Sequence, residues 1–122
     1  MVFHDPGIED IQSIGIRNGT GQTPTHFSFT GSDNTHTGTE TVLVNEYIRK
    51  AVSWTKSGIQ SKYNVELLSI EAIGSNITGT GLVGNDTIGS GTLFTSNTSF
   101  IGNKTDTFNV QVEGEIIIQR PS

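Results

Sequence analysis

The segment that most constrains the fold is residues 107–119, TFNVQVEGEIIIQ, in which apolar and polar side chains alternate. Successive side chains of a strand point to opposite faces, so this alternation predicts a long strand with one buried face and one polar face. The predicted buried positions are Phe108, Val110, Val112, Ile116 and Ile118, and the predicted polar positions are Asn109, Gln111, Glu113, Glu115 and Gln119. Strands with one solvated face are typical of antiparallel sheets, and we therefore expect an all-β protein.

The composition supports the same fold class. Gly, Thr, Ser and Asn make up 53 of the 122 residues, whereas Ala51 and Ala72 are the only alanines. Thr suits pleated strands, and Gly and Asn supply turns. We predict an antiparallel β-sandwich or a partly closed barrel of six or seven strands. The length fits one β domain, which we place at residues 8–122 behind an irregular N-terminal arm of residues 1–7.

Shorter apolar runs place the other predicted strands, at residues 8–17, 47–55, 63–73, 77–83 and 91–95. Residues 18–39 form a long polar connection, which Phe27 and Phe29 are expected to pin to the body of the domain. Residues 41–54 fit both a helical and an extended period, so one short helix near residues 41–47 stays an alternative. The residues expected to fill the core are Leu82, Leu93, Phe94, Phe100 and Phe108.

Several kinds of chemistry have no signal in the sequence. The chain has no cysteine and only seven Lys plus Arg, none in a run, which disfavours a disulfide framework and a nucleic-acid-binding surface. No apolar stretch approaches the ~20 residues that span a membrane, so no membrane insertion is expected. His4, His26 and His36 are scattered, and we interpret them as solvated loop residues without a metal or cofactor. A Ser-His-Asp triad is spatial and could not be recognised here, but no GxSxG motif occurs, and we predict that the protein is not an enzyme.

A series of short motifs follows a recognisable order along the chain. The series is IRNGTGQTP at residues 16–24, LVNEYIRKAV at 43–52, EAIGSNI at 71–77, GL at 81–82, GTLF at 91–94 and KT at 104–105, ahead of the alternating final segment. This order resembles a family of small virion proteins of tailed phages and tailed archaeal viruses, often described as tail-fibre or tail-collar components. The match covers residues 11–118. Gly79 and Thr80 occupy positions where such proteins often carry an acidic residue.

The resemblance implies a structural subunit of a virion, in the tail, fibre, collar or capsid decoration. Such a particle is assembled in the host cytoplasm and is then extracellular. The implied partners are copies of the chain, other virion proteins and a host-surface glycan. Assembly is expected to use strand edges, because an unpaired edge can accept a strand from a neighbour. The residues assigned to this interface are Met1, Val2, Phe3, His4 and Asp5 in the arm and Glu113, Glu115 and Ile117 in the final strand.

Two further groups of residues have predicted structural roles. Gly19, Thr20, Gly21 and Pro24 form the turn of the first motif, in which the glycines occupy positive-φ or crowded positions. Glu46 and Arg49 are expected to form an ion pair that holds the preceding loop to a strand.

Two other functions remain open at this point. A carbohydrate-binding or adhesion module could stack sugars on Tyr47, Trp54 and Tyr63, and a cell-surface filament subunit could join its neighbours by donor strands. Both would use a Thr- and Asn-rich β domain, so composition does not separate them from a virion subunit.

Overall fold

The computed structural model describes residues 1–15, 19–31, 34 and 36–117, which form two antiparallel sheets and one helix. The strands are β1 Val2–Phe3, β2 His26–Thr30, β3 Glu46–Ala51, β4 Ser53–Ser57, β5 Gln60–Leu67, β6 Asn76–Val83, β7 Leu93–Asn103 and β8 Val110–Ile117, and the helix is α1 Asp5–Gly15. The predicted all-β sandwich is confirmed. Neither sheet closes on itself within the described ranges.

The two sheets differ in width. The larger has the strand order β1-β7-β6-β2-β3, and the smaller has the order β4-β5-β8. The chain passes from the larger to the smaller sheet at Val52, whose backbone N–H donates to the carbonyl of Thr25 at 3.0 Å. This crossing places β3 and β4 on one side of the sandwich and leaves β8 and β7 on the other.

The main core lies between the sheets. Its buried members are Phe27, Phe29, Tyr63, Val65, Leu67, Ile77, Leu82 and Phe94. The rings of Phe27 and Phe29 meet edge to face with centroids 5.3 Å apart, and Tyr63 lies 5.8 Å from Phe27. Phe27 and Phe29 therefore belong to the inner strand β2, which corrects the prediction of an uninterrupted connection over residues 18–39.

A smaller cluster of Leu43, Val83 and Leu93 covers the other face of the larger sheet. Leu43 lies so close to β6 that a Cβ on Gly81 would come within 2.8 Å of its side chain. The pairing of β6 with β7 shifts register near Leu82, so the faces of β7 exchange at this point.

The N-terminal predictions need correction. Val2–Phe3 is a strand rather than part of an irregular arm, and residues 5–15 are helical rather than extended. Asp5-Pro6-Gly7 reads as a turn signal, but proline is tolerated in the first turn of a helix, where its missing N–H has no intrahelical partner. Gly7 lets the helix approach β7, because a Cβ there would lie 2.5 Å from the Cα of Phe94. Residues 16 and 17 of the predicted strand lie outside the described residues.

Three smaller predictions also change. Residues 41–45 are irregular, and a strand rather than a helix begins at Glu46. Phe100, predicted to lie in the core, is 84% exposed because the register shift turns its side chain away from the core. Phe108, also predicted to lie in the core, is exposed because it precedes the final strand, which begins at Val110. Leu82, Leu93 and Phe94 are buried as predicted.

Candidate functional site

The final strand forms an edge of the smaller sheet. β8 pairs along its whole length with β5, from Leu67 opposite Val110 to Gln60 opposite Ile117, without a register shift. No described residue pairs with the other side of β8. In an antiparallel strand alternate residues direct their N–H and C=O groups away from the paired neighbour. This side therefore presents a row of backbone donors and acceptors to an incoming strand.

The two faces of β8 differ as the sequence predicts. Val112 and Ile116 are half-buried against the core, whereas Glu113 and Glu115 are exposed on the outer face. Glu113 lies opposite Asn64 of β5, and Glu115 lies opposite Lys62. Of the predicted residue Ile117, only the backbone pairing is described.

A narrow slot runs beside β8 where it faces β7. It encloses about 100 Å³. Its walls are both apolar and polar: they include Phe27, Tyr63, Thr80, Gly81, Thr95, Asn97, Ser99, Val112 and Glu113, and the exposed Met1 also lines it. The polar groups at this slot, Thr80, Thr95, Asn97 and Ser99, belong to β6 and β7 of the larger sheet.

The predicted N-terminal interface residues are engaged within the chain. Val2 and Phe3 pair with Ser96 and Thr95 of β7, the backbone N–H of His4 donates to Phe94 at 2.9 Å, and that of Asp5 donates to Gly38 at 2.9 Å. Residues 2–5 thus cover the first part of the outer edge of β7. Met1 and Asp5 remain exposed.

His4 is fully buried, so its assignment as a solvated histidine is wrong. Its Nε2 lies 2.6 Å from the hydroxyl oxygen of Ser96, which is also 2.5 Å from Nδ1 of the half-buried His36. Nδ1 of His4 lies 3.2 Å from a Glu40 carboxylate oxygen, without the alignment of a hydrogen bond. Burial lowers the pKa of His4 below 6.5, although Glu40 opposes this shift.

This histidine cluster (His4, His36, Glu40 and Ser96) joins three distant parts of the chain. Ser96 contacts His4 and His4 contacts Glu40, as the members of a nucleophilic triad do. The Ser96 hydroxyl, however, is fully buried and lies between two imidazole nitrogens. A hydroxyl in this position anchors the N-terminal segment to β7. The sequence contains no local signal for this cluster, because its members come from separate segments.

Glu46 and Arg49 form a buried bidentate ion pair. Nε and Nη2 of Arg49 donate to the two carboxylate oxygens at 2.8 and 3.0 Å, and the side chains of Arg49 and Glu46 are 3% and 1% exposed. Burial on its own raises the pKa of Glu46, but the hydrogen bonds from Arg49, Ser28 and the Gly89 N–H hold it below 4.5. Arg49 also donates to the carbonyls of Asn85 and Ser90. The pair therefore fixes the loop between β6 and β7 onto β3.

The turn of the first motif packs against α1. Neither glycine has a positive φ, but both are crowded: a Cβ on Gly19 would lie 2.5 Å from Ser13, and one on Gly21 would lie 2.9 Å from Asp10. The carbonyl of Thr20 accepts from the Ser13 hydroxyl at 2.9 Å. The carbonyl of Pro24 accepts the indole N–H of Trp54 at 2.8 Å, which fixes the indole ring.

Trp54 borders a second cleft, of about 330 Å³, lined by Ile11, Thr23, Pro24, Thr25, Trp54, Ser61 and Ile116. Trp54 is 38% exposed. Of the other two predicted stacking residues, Tyr63 belongs to the core and Tyr47 is exposed on β3.

Comparison of the chain with protein-family models, curated proteins and solved structures finds no match. In the part of the chain that the structure describes, no three His, Asp or Glu residues are grouped so as to hold a metal ion. The described residues include no helix with the length and apolar character needed to span a membrane.

Proposed function

We propose that the chain is a non-enzymatic structural subunit of a virus particle, which joins its neighbours by strand addition at the β8 edge. The observation that carries the proposal is that edge: eight residues, regularly paired with β5 on one side and paired with no described residue on the other. Strand addition gives affinity through main-chain hydrogen bonds, and side-chain positions on alternate sides give specificity.

The β8 edge lacks most of the devices by which proteins block edge pairing. Such edges are commonly very short, interrupted by a bulge or proline, or covered by another element. β8 is longer than a typical five- or six-residue strand, has no register shift, and has no described strand paired with its other side. Glu113 and Glu115 are the remaining device, and they restrict which strands can pair.

The N-terminal residues contribute less to this proposal than the sequence suggested. Residues 2–5 already pair with β7 and the 36–40 segment of the same chain. An intermolecular role for them would require these contacts to be exchanged, whereas the β8 edge is available as it stands.

The open edge supports assembly, and the family resemblance supports a virus particle as the assembly. The contacts of the motif residues are compatible with a structural role. Glu46 and Arg49 fix the β6–β7 loop, and the Gly74 N–H donates to the carbonyl of Lys104 at 2.8 Å, which ties EAIGSNI to KT. The motifs thus stabilise the framework and leave β8 to make contacts.

A single spin label tests the proposal directly, because the natural chain has no cysteine. We expect a nitroxide on Glu115→Cys to become immobilised when the protein enters a particle fraction. The same label on Glu9→Cys, at an exposed position of α1, provides the control. Unchanged mobility at residue 115 in the particle-bound protein, or the absence of the protein from purified particles, contradicts the proposal.

A carbohydrate-binding module is the second candidate, and the Trp54 cleft favours it. The fixed, partly exposed indole can stack on a sugar ring, and Thr23, Thr25 and Ser61 supply hydroxyls at the cleft. Trp54 is the only tryptophan, so its intrinsic fluorescence reports on this cleft alone. Titration with neutral oligosaccharides is expected to shift the emission wavelength of Trp54 in the natural chain. The Tyr47→Phe variant is the control and should show the same shift, because Tyr47 does not line the cleft. No shift with any sugar argues against this candidate.

A further inference from the structure

We propose that the strand accepted by β8 belongs to a different protein and carries Lys or Arg on the positions that face outward and small polar residues on those that face inward. This inference rests on the proposed function, because it specifies the partner of the same edge. It follows from the charge beside the edge, the sequence of this chain and the slot between the sheets.

The outer side of the edge is acidic. Glu113 and Glu115 are both exposed. On β5 the residue opposite Glu113 is the neutral Asn64, and the residue opposite Glu115 is the cation Lys62. Side chains directly opposite on paired strands lie about 4.5–5.5 Å apart at Cβ, where opposite charges attract and like charges repel. A strand with Lys or Arg at two outward positions therefore complements the edge.

Pairing of β8 with β8 of a second copy is disfavoured. The two antiparallel registers that would pair most of the strand are centred on Glu113 and on Gly114. The first places Glu113 opposite the same residue of the second copy, and the second places Glu113 opposite Glu115. Each register thus brings carboxylates together.

No other segment of the chain provides the complementary pattern. Outward positions of a strand recur every second residue, but no two Lys or Arg residues are two positions apart anywhere in the sequence. β4, the other edge strand of the smaller sheet, for example, contains one cationic residue, Lys56. A second copy therefore does not supply the strand, and contacts between copies would use other surfaces.

The inner side of the edge selects for size and polarity. An incoming strand would direct alternate side chains toward Thr95, Asn97 and Ser99 of β7 across a slot of about 100 Å³. A slot of this volume suits small side chains such as Ser or Thr. Ser99 already pairs with the Thr80 hydroxyl and Thr95 accepts from the Leu82 N–H, so the incoming hydroxyls would bond chiefly with the Asn97 amide. A large apolar side chain would instead cover this amide without a hydrogen bond.

Synthetic peptides test both rules on the full chain. We expect the alternating octapeptide TKTKTKTK to bind and to slow hydrogen exchange at the β8 amides. A block peptide of the same composition, KKKKTTTT, cannot place its lysines on one face and should bind at least about threefold more weakly. The alternating peptides TETETETE and VKVKVKVK should also bind more weakly, the first through repulsion and the second through the polar slot.

Charge variants complete the test. The double variant Glu113→Gln/Glu115→Gln should weaken TKTKTKTK binding about three- to tenfold, as expected for two exposed charge pairs. Glu9→Gln/Asp86→Asn changes the net charge equally at exposed positions of α1 and of the loop between β6 and β7, and should retain the affinity within about twofold. Equal weakening in both double variants, or equal binding of the block peptide, overturns the inference.

The outcomes also separate this inference from the proposed function. If the neutral peptide TSTSTSTS protects the β8 amides as well as TKTKTKTK does, strand addition stands and the charge rule fails. If no peptide protects these amides and residue 115 stays mobile in the assembled protein, both proposals fail.

Discussion

The buried pair of Glu46 and Arg49 supports the sharpest prediction about stability. Replacing Arg49 with methionine keeps most of the side-chain volume but removes two hydrogen bonds to Glu46 and the bonds to Asn85 and Ser90. The Glu46 carboxylate, 1% exposed, keeps only neutral donors, including the Ser28 hydroxyl and the Gly89 N–H. An uncompensated buried charge of this kind costs about 3–5 kcal/mol.

The magnitude is large compared with a total folding stability of about 5–15 kcal/mol for a typical domain. Urea denaturation followed by far-UV circular dichroism measures it as a shift of the midpoint at unchanged slope. The variant Lys50→Met is a matched control from the same strand. Lys50 pairs with Glu71, but the two side chains are 25% and 21% exposed, so its loss should cost only about 0–1 kcal/mol.

A second variant separates loss of the pair from loss of packing. Adding Glu46→Gln to Arg49→Met removes the unpaired buried charge, so the double variant should be more stable than Arg49→Met alone. The reasoning is refuted if Arg49→Met costs less than about 1 kcal/mol or no more than Lys50→Met.

Two further predictions concern His4 and the core. Because the folded-state pKa of His4 lies below 6.5, the folded chain holds this proton less tightly than the unfolded chain, so stability is full above pH 6.5 and falls as the pH decreases through the folded pKa. In urea titrations between pH 7 and 5, the free energy of unfolding of His4→Gln should fall less steeply with decreasing pH, whereas His26→Gln should behave like the natural chain. An equally steep fall in His4→Gln would contradict the role given to His4. Phe94 is 1% exposed, so Phe94→Ala should lower the free energy of unfolding in urea titrations by about 3–5 kcal/mol. Phe100→Ala should change it by no more than about 0.5 kcal/mol, because Phe100 is exposed. Equal losses in the two variants would contradict the described faces of β7.

The strands with regular alternation were the predictable part of the fold. Val110, Val112 and Ile116 face inward and Glu113 and Glu115 outward, as the period of two indicates. Such a pattern is a local property of a strand with one buried face, so it can be read without knowing the rest of the molecule.

The features that were missed depend on contacts between distant residues. Phe27 and Phe29 alternate with Ser28, but Ser28 is itself buried, because its hydroxyl donates to Glu46 across the sheet at 2.6 Å. The exposure of Phe100 follows from a register shift in the pairing of β6 with β7, which no single segment encodes.

The candidate site was predictable to the same extent. Glu113 and Glu115 were identified from alternation, and Glu46 and Arg49 from their spacing in the motif. The histidine cluster was not foreseen, because His4, His36 and Ser96 meet only when the N-terminal segment pairs with β7. Likewise, the open side of β8 is a property of strand order, which the sequence of one strand does not contain.

Hydrogen exchange at β8 tests the central claim most directly. Amide exchange, resolved by residue, would be compared over residues 110–117 in the dissociated protein and in its assembled form. Strand addition predicts that alternate amides, those directed away from β5, exchange freely in the dissociated protein and become protected on assembly. The claim is contradicted if those amides exchange equally fast in both forms while protection appears elsewhere.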